Sequence, residues 1–147
     1  DKIAKLQRKG FSAELGISQK HPEFDEWVSG YQQDGKSYIT KEGLMNSSYS
    51  EVKATFVHES NHITTNSSRA YQGLAKERGI DAASYYGEVK AYSFELNKAK
   101  FLSANYRNYL KSNLSYYVQS LNKIGLSTSM PYTRPNNLFN YLLNLFH

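Results

Sequence analysis

Residues 56–64, FVHESNHIT, hold the side chains of this chain that are best suited to metal chemistry. His58 and His62 stand four positions apart, and imidazoles at that spacing project from one helix face, where both can reach the same ion. Glu59 lies about 100° further round the helix, so we expect it outside the ligand set but close to the water of a catalytic zinc site. From there it can take a proton from that water and pass it to a leaving amine.

The competing interpretation of this pattern is a pair of surface histidines on an amphipathic helix. Random placement of residues with this composition would produce His-Glu-x-x-His roughly 0.007 times in a chain of this length, so coincidence is a poor explanation. The pattern predicts a zinc ion, Zn²⁺, as cofactor. It predicts peptide hydrolysis less strongly, because sites that only bind metal can carry the same pattern.

A catalytic zinc ion needs a third protein ligand, and the chain has no cysteine to supply one. His21 and His147 could reach the metal, but neither lies in a patterned site. The segment YYGEVKAYSFEL offers Glu88 and Glu95, which share one helix face with Tyr92. A helical carboxylate is therefore the better candidate.

The two glutamates are separated by two helical turns, about 10 Å along the axis, so both cannot bind one ion. A loop over residues 64–81 would bring the start of the second helix across the histidine helix, which favours Glu88 as the ligand. Glu95 would then lie deeper and accept a hydrogen bond from a ligating imidazole. Tyr92 either stabilises the oxyanion of the reaction or packs beside Glu88.

Local patterns predict the elements that position these side chains. Asp34-Gly35 is a preferred two-residue turn, so the surrounding segment predicts a β-hairpin whose second strand covers Lys36–Thr40. We expect that strand to bind substrate along its edge. Ser48 and Glu51 form a capping box, which predicts the start of the histidine helix.

Residues 64–73, TTNSSRAYQG, have the composition of a loop. Three helices are predicted after it, over Ala82 or Ser84 to Leu102, over Tyr106 to Lys123, and after Pro135. The expected class is mainly α (α+β), with a small β-hairpin before the histidine helix. The length of 147 residues suits one domain over residues 1–147.

The net charge of +5 is unevenly distributed, because residues 97–147 hold six basic side chains and no acidic one. Such a segment could meet nucleic acid, an anionic membrane or an acidic protein. Six charges over this length are few for a surface that follows phosphates, so nucleic acid is not expected. No apolar run approaches the roughly 20 residues of a transmembrane helix. The chain begins with Asp1 rather than Met, so we expect a fragment of a longer protein.

HESNH, followed by GEVKAYSFE, resembles the gluzincin metallopeptidases, which combine an HExxH helix with a glutamate from a downstream helix. Residues 34–100 resemble more narrowly the compact metallopeptidase domains at the C-termini of bacterial polymorphic toxins, where a strand precedes the active-site helix and an E-x-x-A-Y helix follows it. The Gly and third His of metzincins are absent after His62. The resemblance implies a zincin-like fold. It also implies that His58, His62 and Glu88 bind zinc and that Glu59 is the general base.

The resemblance also implies a biological setting. It indicates a secreted or injected bacterial effector that cleaves a protein or peptide substrate, with cell-wall peptides as an open alternative. The producing cell would need a neutralising immunity protein, and the basic C-terminal third suits an acidic inhibitor. The alternative function is a basic helical interaction module for nucleic acid, membrane or protein, whose metal site is structural or vestigial.

Overall fold

Helices make up most of the fold, and a small sheet lies against one of them. The computed structural model describes residues 1–45, 47–98 and 101–126. Its elements in chain order are α1 (Lys2–Arg8), β1 (Ala13–Leu15), β2 (Gly30–Gln33), β3 (Lys36–Ile39), α2 (Lys41–Leu44), α3 (Tyr49–Asn66), α4 (Arg69–Arg78), α5 (Ile80–Lys98) and α6 (Ala104–Lys123). The expected mainly α class with a small β element is confirmed. The helix predicted after Pro135 lies outside the described residues.

Strands β2 and β3 form the predicted hairpin. They pair antiparallel up to Gln33 and Lys36. The turn residues Asp34 and Gly35 have φ angles of 51° and 74°, which is the left-handed conformation that a type I′ turn requires at both positions. The hairpin therefore follows from two residues whose backbone preferences match the turn.

The prediction that Lys36–Thr40 is a substrate-binding edge strand is wrong. Strand β3 is the middle strand of the sheet, because β1 pairs with it in parallel on the side away from β2. Thr40 is not part of the strand and instead caps α2, accepting a hydrogen bond from Gly43 N. A hairpin pattern is local, so it could not indicate that Ala13–Leu15 would cover the other edge of β3.

Helix α3 begins at the predicted capping box, in which the Ser48 side chain accepts from Glu51 N and the Glu51 carboxylate accepts from Ser48 N. Its apolar face packs on the sheet, where Val52 and Phe56 join a buried cluster with Ile3, Leu6, Ala13 and Ile39. Ser60 on the same helix lies 2.9 Å from Ser37 of β3, hydroxyl oxygen to hydroxyl oxygen. The sheet therefore holds the helix that carries both histidines.

The loop predicted over residues 64–73, and its extension to residue 81, are also wrong. Helix α3 continues to Asn66, and α4 begins at Arg69. The Ser68 side chain accepts from Tyr71 N and so caps the new helix, while Leu74 is buried in the core shared by α4, α5 and α6. Serine and asparagine suit helix caps as well as loops, so composition alone gave the wrong assignment.

Helix α5 starts and ends earlier than predicted, at Ile80 and Lys98 rather than at Ala82 or Ser84 and Leu102. Helix α6 is confirmed, with its start two residues before the expected Tyr106. Helix α5 packs against both α3 and α6 and so lies between them. Within the described residues, no helix combines the length and apolar character needed to cross a bilayer.

Candidate metal centre

Two imidazole nitrogens from α3 and one carboxylate from α5 converge on one point. His58 Nε2 lies 3.1 Å from His62 Nε2 and 3.3 Å from Glu88 Oε2. The other oxygen of Glu88 lies 3.4 Å from His62 Nε2. The histidines stand one turn apart on α3, and Glu88 reaches them from the first half of α5.

These separations fit a small tetrahedral ion. A zinc ion with bonds of about 2.0–2.1 Å separates adjacent ligand atoms by about 3.3 Å, which matches the three distances between the nitrogens and the carboxylate. Two imidazoles and one carboxylate are also the donor set of several catalytic zinc sites. Among the described residues, His58, His62 and Glu88 form a group able to bind a metal ion, since one ligand atom from each lies within 4.8 Å of the other two.

Burial rules out the alternative of two surface histidines. His58 is 7% exposed, and the His62 side chain is 13% exposed. Burial by itself would lower the pKa of His58, but hydrogen bonds with Glu88 and Glu95 outweigh it and raise that pKa well above its ordinary value. For Glu88 the cost of burial is likewise outweighed, here by both imidazoles, which lower its pKa. The group is thus arranged to hold a cation, either protons or a metal ion.

Glu95 binds the opposite side of the His58 ring. Its Oε2 lies 3.0 Å from His58 Nδ1, and the carboxylate is 1% exposed. Because a carboxylate only accepts, His58 carries a proton on Nδ1, and Nε2 is the nitrogen that a metal ion would bind in place of a proton. The Tyr106 hydroxyl donates to the other oxygen of Glu95 at 2.9 Å. Glu95 is therefore in the hydrogen-bonding position expected of it, and Glu88 is the carboxylate beside both Nε2 atoms.

Glu59 stands outside the converging group but lines the same cavity, whose volume is about 370 Å³. It is half-buried on α3. Burial raises the pKa of its carboxyl, against the opposing influence of His58 and His62. A raised pKa makes the carboxylate a better proton acceptor near neutral pH.

Strand β2 forms the wall of the cavity beside Glu59. Gly30, Tyr31 and Gln32 all line the cavity. A Cβ atom on Gly30 would lie 2.8 Å from Thr55 Cγ2 and 3.2 Å from Glu59 Cγ. The glycine thus lets the strand approach the helix at the residue next to His58.

Tyr92 lies beside His58, with ring centroids 4.4 Å apart and ring planes at 64°. The Tyr117 ring stacks on Tyr92, with 6.0 Å between the ring centroids. Burial, with Glu88 nearby, raises the pKa of Tyr92 well above its ordinary value, so its hydroxyl stays protonated. This arrangement packs Tyr92 against His58, and its role at an oxyanion stays a prediction.

The two other histidines differ in placement. His21 lines the cavity but is not part of the converging group; its Nδ1 accepts hydrogen bonds from the backbone N–H groups of Glu23 and Phe24. His147 lies outside the described residues. Gly30 and Tyr106 also belong to the site and could not be predicted, because a strand glycine and a tyrosine near a helix start carry no sequence signal of their partners.

Comparisons of the chain with protein-family models, with curated proteins and with solved structures found no match in any of the three. The residues of the site therefore provide the available indication of function.

Proposed function

We propose that the protein is a zinc-dependent peptidase in which His58, His62 and Glu88 bind the metal and Glu59 is the general base. The observation that carries the proposal is the convergence of two imidazole nitrogens and the Glu88 carboxylate, with each nitrogen 3.3–3.4 Å from one carboxylate oxygen and the nitrogens 3.1 Å apart. A half-buried carboxylate with a raised pKa beside the same cavity supports the hydrolytic role. Glu59 is not needed to hold the ion, so its place beside the cavity is better explained by a role in hydrolysis.

When bound, zinc supplies a positive charge that acidifies a water molecule and polarises a carbonyl group. Glu59 accepts the proton of the attacking water on a carboxylate oxygen and delivers it to the amine that leaves. Glu95 holds the proton of His58 on Nδ1 and so keeps Nε2 available as a ligand atom. The overall reaction consumes one water molecule and converts one amide into a carboxylic acid and an amine.

A peptide substrate is supported by the position of β2. Within the described part of the chain this strand pairs with β3 alone, so its other side offers unpaired backbone groups. Those groups lie beside the cavity that Glu59 also lines. An extended peptide adding to β2 would gain main-chain hydrogen bonds and present its own amide bonds to the site. This replaces β3 as the substrate-binding strand.

The resemblance of residues 34–100 to metallopeptidase domains of polymorphic toxins supports a further part of the proposal. The protein acts as a secreted or injected bacterial effector and meets an acidic immunity protein in the cell that makes it. The acid-free segment over residues 97–147 supplies the charge that such a partner would complement.

The test compares purified wild-type protein with Glu59→Gln and with Glu77→Gln, a matched change of an exposed glutamate on α4. Each protein is analysed for zinc and incubated with peptides from a proteome digest, whose cleavage is followed by mass spectrometry. We expect about one zinc per chain in all three, and a loss of cleavage of about 10²–10⁴-fold in Glu59→Gln alone. Zinc binding without cleavage by the wild type would favour the interaction module, and absence of zinc after reconstitution would contradict the metal centre.

A further inference from the structure

Helix α6 contributes none of the three converging donors, yet it reaches the ligand His58 through one intermediate. Tyr106, in the first turn of α6, donates from its hydroxyl to Glu95 Oε1 at 2.9 Å. Glu95 Oε2 accepts from His58 Nδ1 at 3.0 Å. We propose that Tyr106 is a positioning residue of the metal centre, acting on His58 through Glu95. This rests on the metal-binding part of the proposed function and not on hydrolysis.

Each oxygen of Glu95 accepts a different hydrogen bond. One oxygen faces the imidazole and the other faces the phenol, so the carboxylate plane is held from both ends. Glu95 is 1% exposed, so bulk solvent has little access to the oxygen that Tyr106 binds. Removing the Tyr106 hydroxyl leaves a buried oxygen unsatisfied, which costs more than a surface hydrogen bond would. The carboxylate then turns, and the His58 ring turns with it.

The start of α6 is held in place by α3. Ser103, which caps α6, lies 3.3 Å from the Glu51 carboxylate of the α3 capping box, hydroxyl oxygen to Oε1. The Tyr106 hydroxyl lies 3.4 Å from Thr55 Oγ1, one turn before His58. Helices α3, α5 and α6 thus meet around Glu95. The orientation of the His58 ring therefore depends on the docking of α6.

The experiment measures zinc affinity by competition with a chelator for wild type, Tyr106→Phe, Glu95→Gln and the double variant. Tyr116→Phe, the same change on an exposed part of α6, is the matched control. Loss of one partner in the chain of hydrogen bonds behind a ligand weakens metal binding about 10-fold. We expect that loss in Tyr106→Phe, none in Tyr116→Phe, and no further loss when Tyr106→Phe is added to Glu95→Gln.

The non-additive result shows that Tyr106 affects zinc affinity through Glu95, because two effects that reached the metal centre by independent routes would add in full. The His58 Nδ1 proton, followed by NMR in the metal-free proteins, should shift in Tyr106→Phe and stay in place in Tyr116→Phe. Wild-type affinity in Tyr106→Phe, or full additivity, overturns the inference while leaving the peptidase proposal intact. A wild type that binds no zinc overturns both.

Discussion

At the scale of single residues, one imidazole has its two nitrogens assigned to different carboxylates. His58 Nε2 faces Glu88, and Nδ1 faces Glu95. The two glutamates differ in exposure as well, since the Glu88 side chain is 26% exposed and the Glu95 side chain 2%. A carboxylate open to the cavity can bind an incoming ion, whereas a fully buried one can only orient a neighbour.

The carboxylates should therefore respond differently to the same substitution. Glu88→Gln removes a charged ligand and should weaken zinc binding by more than about 100-fold, whereas Glu95→Gln should cost about 10–100-fold. Competition titration against a zinc chelator measures both, with Glu77→Gln as the control for loss of one surface charge. If Glu95→Gln releases the metal and Glu88→Gln retains it, the assignment of the ligand is wrong.

At the scale of elements, the site depends on how closely β2 approaches α3. Gly30 is the point of contact: a Cβ there would lie 2.8 Å from both Thr55 Cγ2 and the backbone oxygen of Tyr38, closer than real Cβ atoms approach. The strand would have to move away from the helix. Glu59 forms part of the same contact, while Glu88 approaches the metal centre from α5 and does not.

Gly30→Ala should consequently reduce hydrolysis while leaving zinc affinity close to that of the wild type. A shift of about 1 Å at a general base or substrate strand can cost about 100-fold in rate, which sets the scale of the expected loss. Cleavage rates on one identified peptide and zinc titration are measured side by side, and Gln33→Ala on the same strand serves as the control. Unchanged cleavage by Gly30→Ala would argue against β2 as a wall of the active site.

At the scale of the whole molecule, proton binding at the proposed metal centre couples to folding. After the cost of burial, Glu88 and Glu95 raise the pKa of His58 above 6.5. The resulting stabilisation is complete below about pH 6.5 and is lost as pH rises through the raised pKa. Glu88 has a lowered pKa, so its contribution is present above about pH 4.5 and is lost as pH falls. The metal-free protein should thus lose stability at alkaline pH.

Zinc should reverse that loss. Metal and proton compete for the same nitrogens, so zinc binds better as pH rises, and a ligand that binds only the folded state stabilises it. The increase in melting temperature on adding saturating zinc should therefore be larger at about pH 8.5 than at about pH 5.5. Thermal unfolding followed by circular dichroism, with and without zinc, measures this. A stabilisation that shrinks as pH rises would contradict competition at His58.

A toxic effect on bacterial cells would also be a property of the whole molecule. Expression of the chain in a bacterial cytoplasm or periplasm should slow growth if its substrate is present there, and Glu59→Gln should relieve the effect because the proton acceptor is lost. Growth curves with matched protein levels, and with Glu77→Gln as the control, provide the measurement. Unchanged growth in both compartments, despite confirmed folded protein, would count against a toxic role.

Several features of this protein were determined by the sequence itself, because each depends on residues within one or two turns of chain. His58 and His62 share a helix face because of their spacing. The Asp34-Gly35 turn and the cap at Ser48 follow from local backbone preferences and side-chain hydrogen bonds. Helix α6 could be placed within two residues for the same reason.

Other features depend on contacts between distant segments, which no local sequence pattern contains and only the tertiary structure shows. The position of β3 inside the sheet required β1, which comes from a distant segment and pairs with it only in the folded state. The α4 helix required a place for Leu74 in the core, and its serine-rich start resembled a loop. The different roles of Glu88 and Glu95 required α5 to cross α3 so that His58 lies between them, and Tyr106 gained its role when α6 docked beside both. These contacts join residues far apart in the chain, so they depend on how the elements pack.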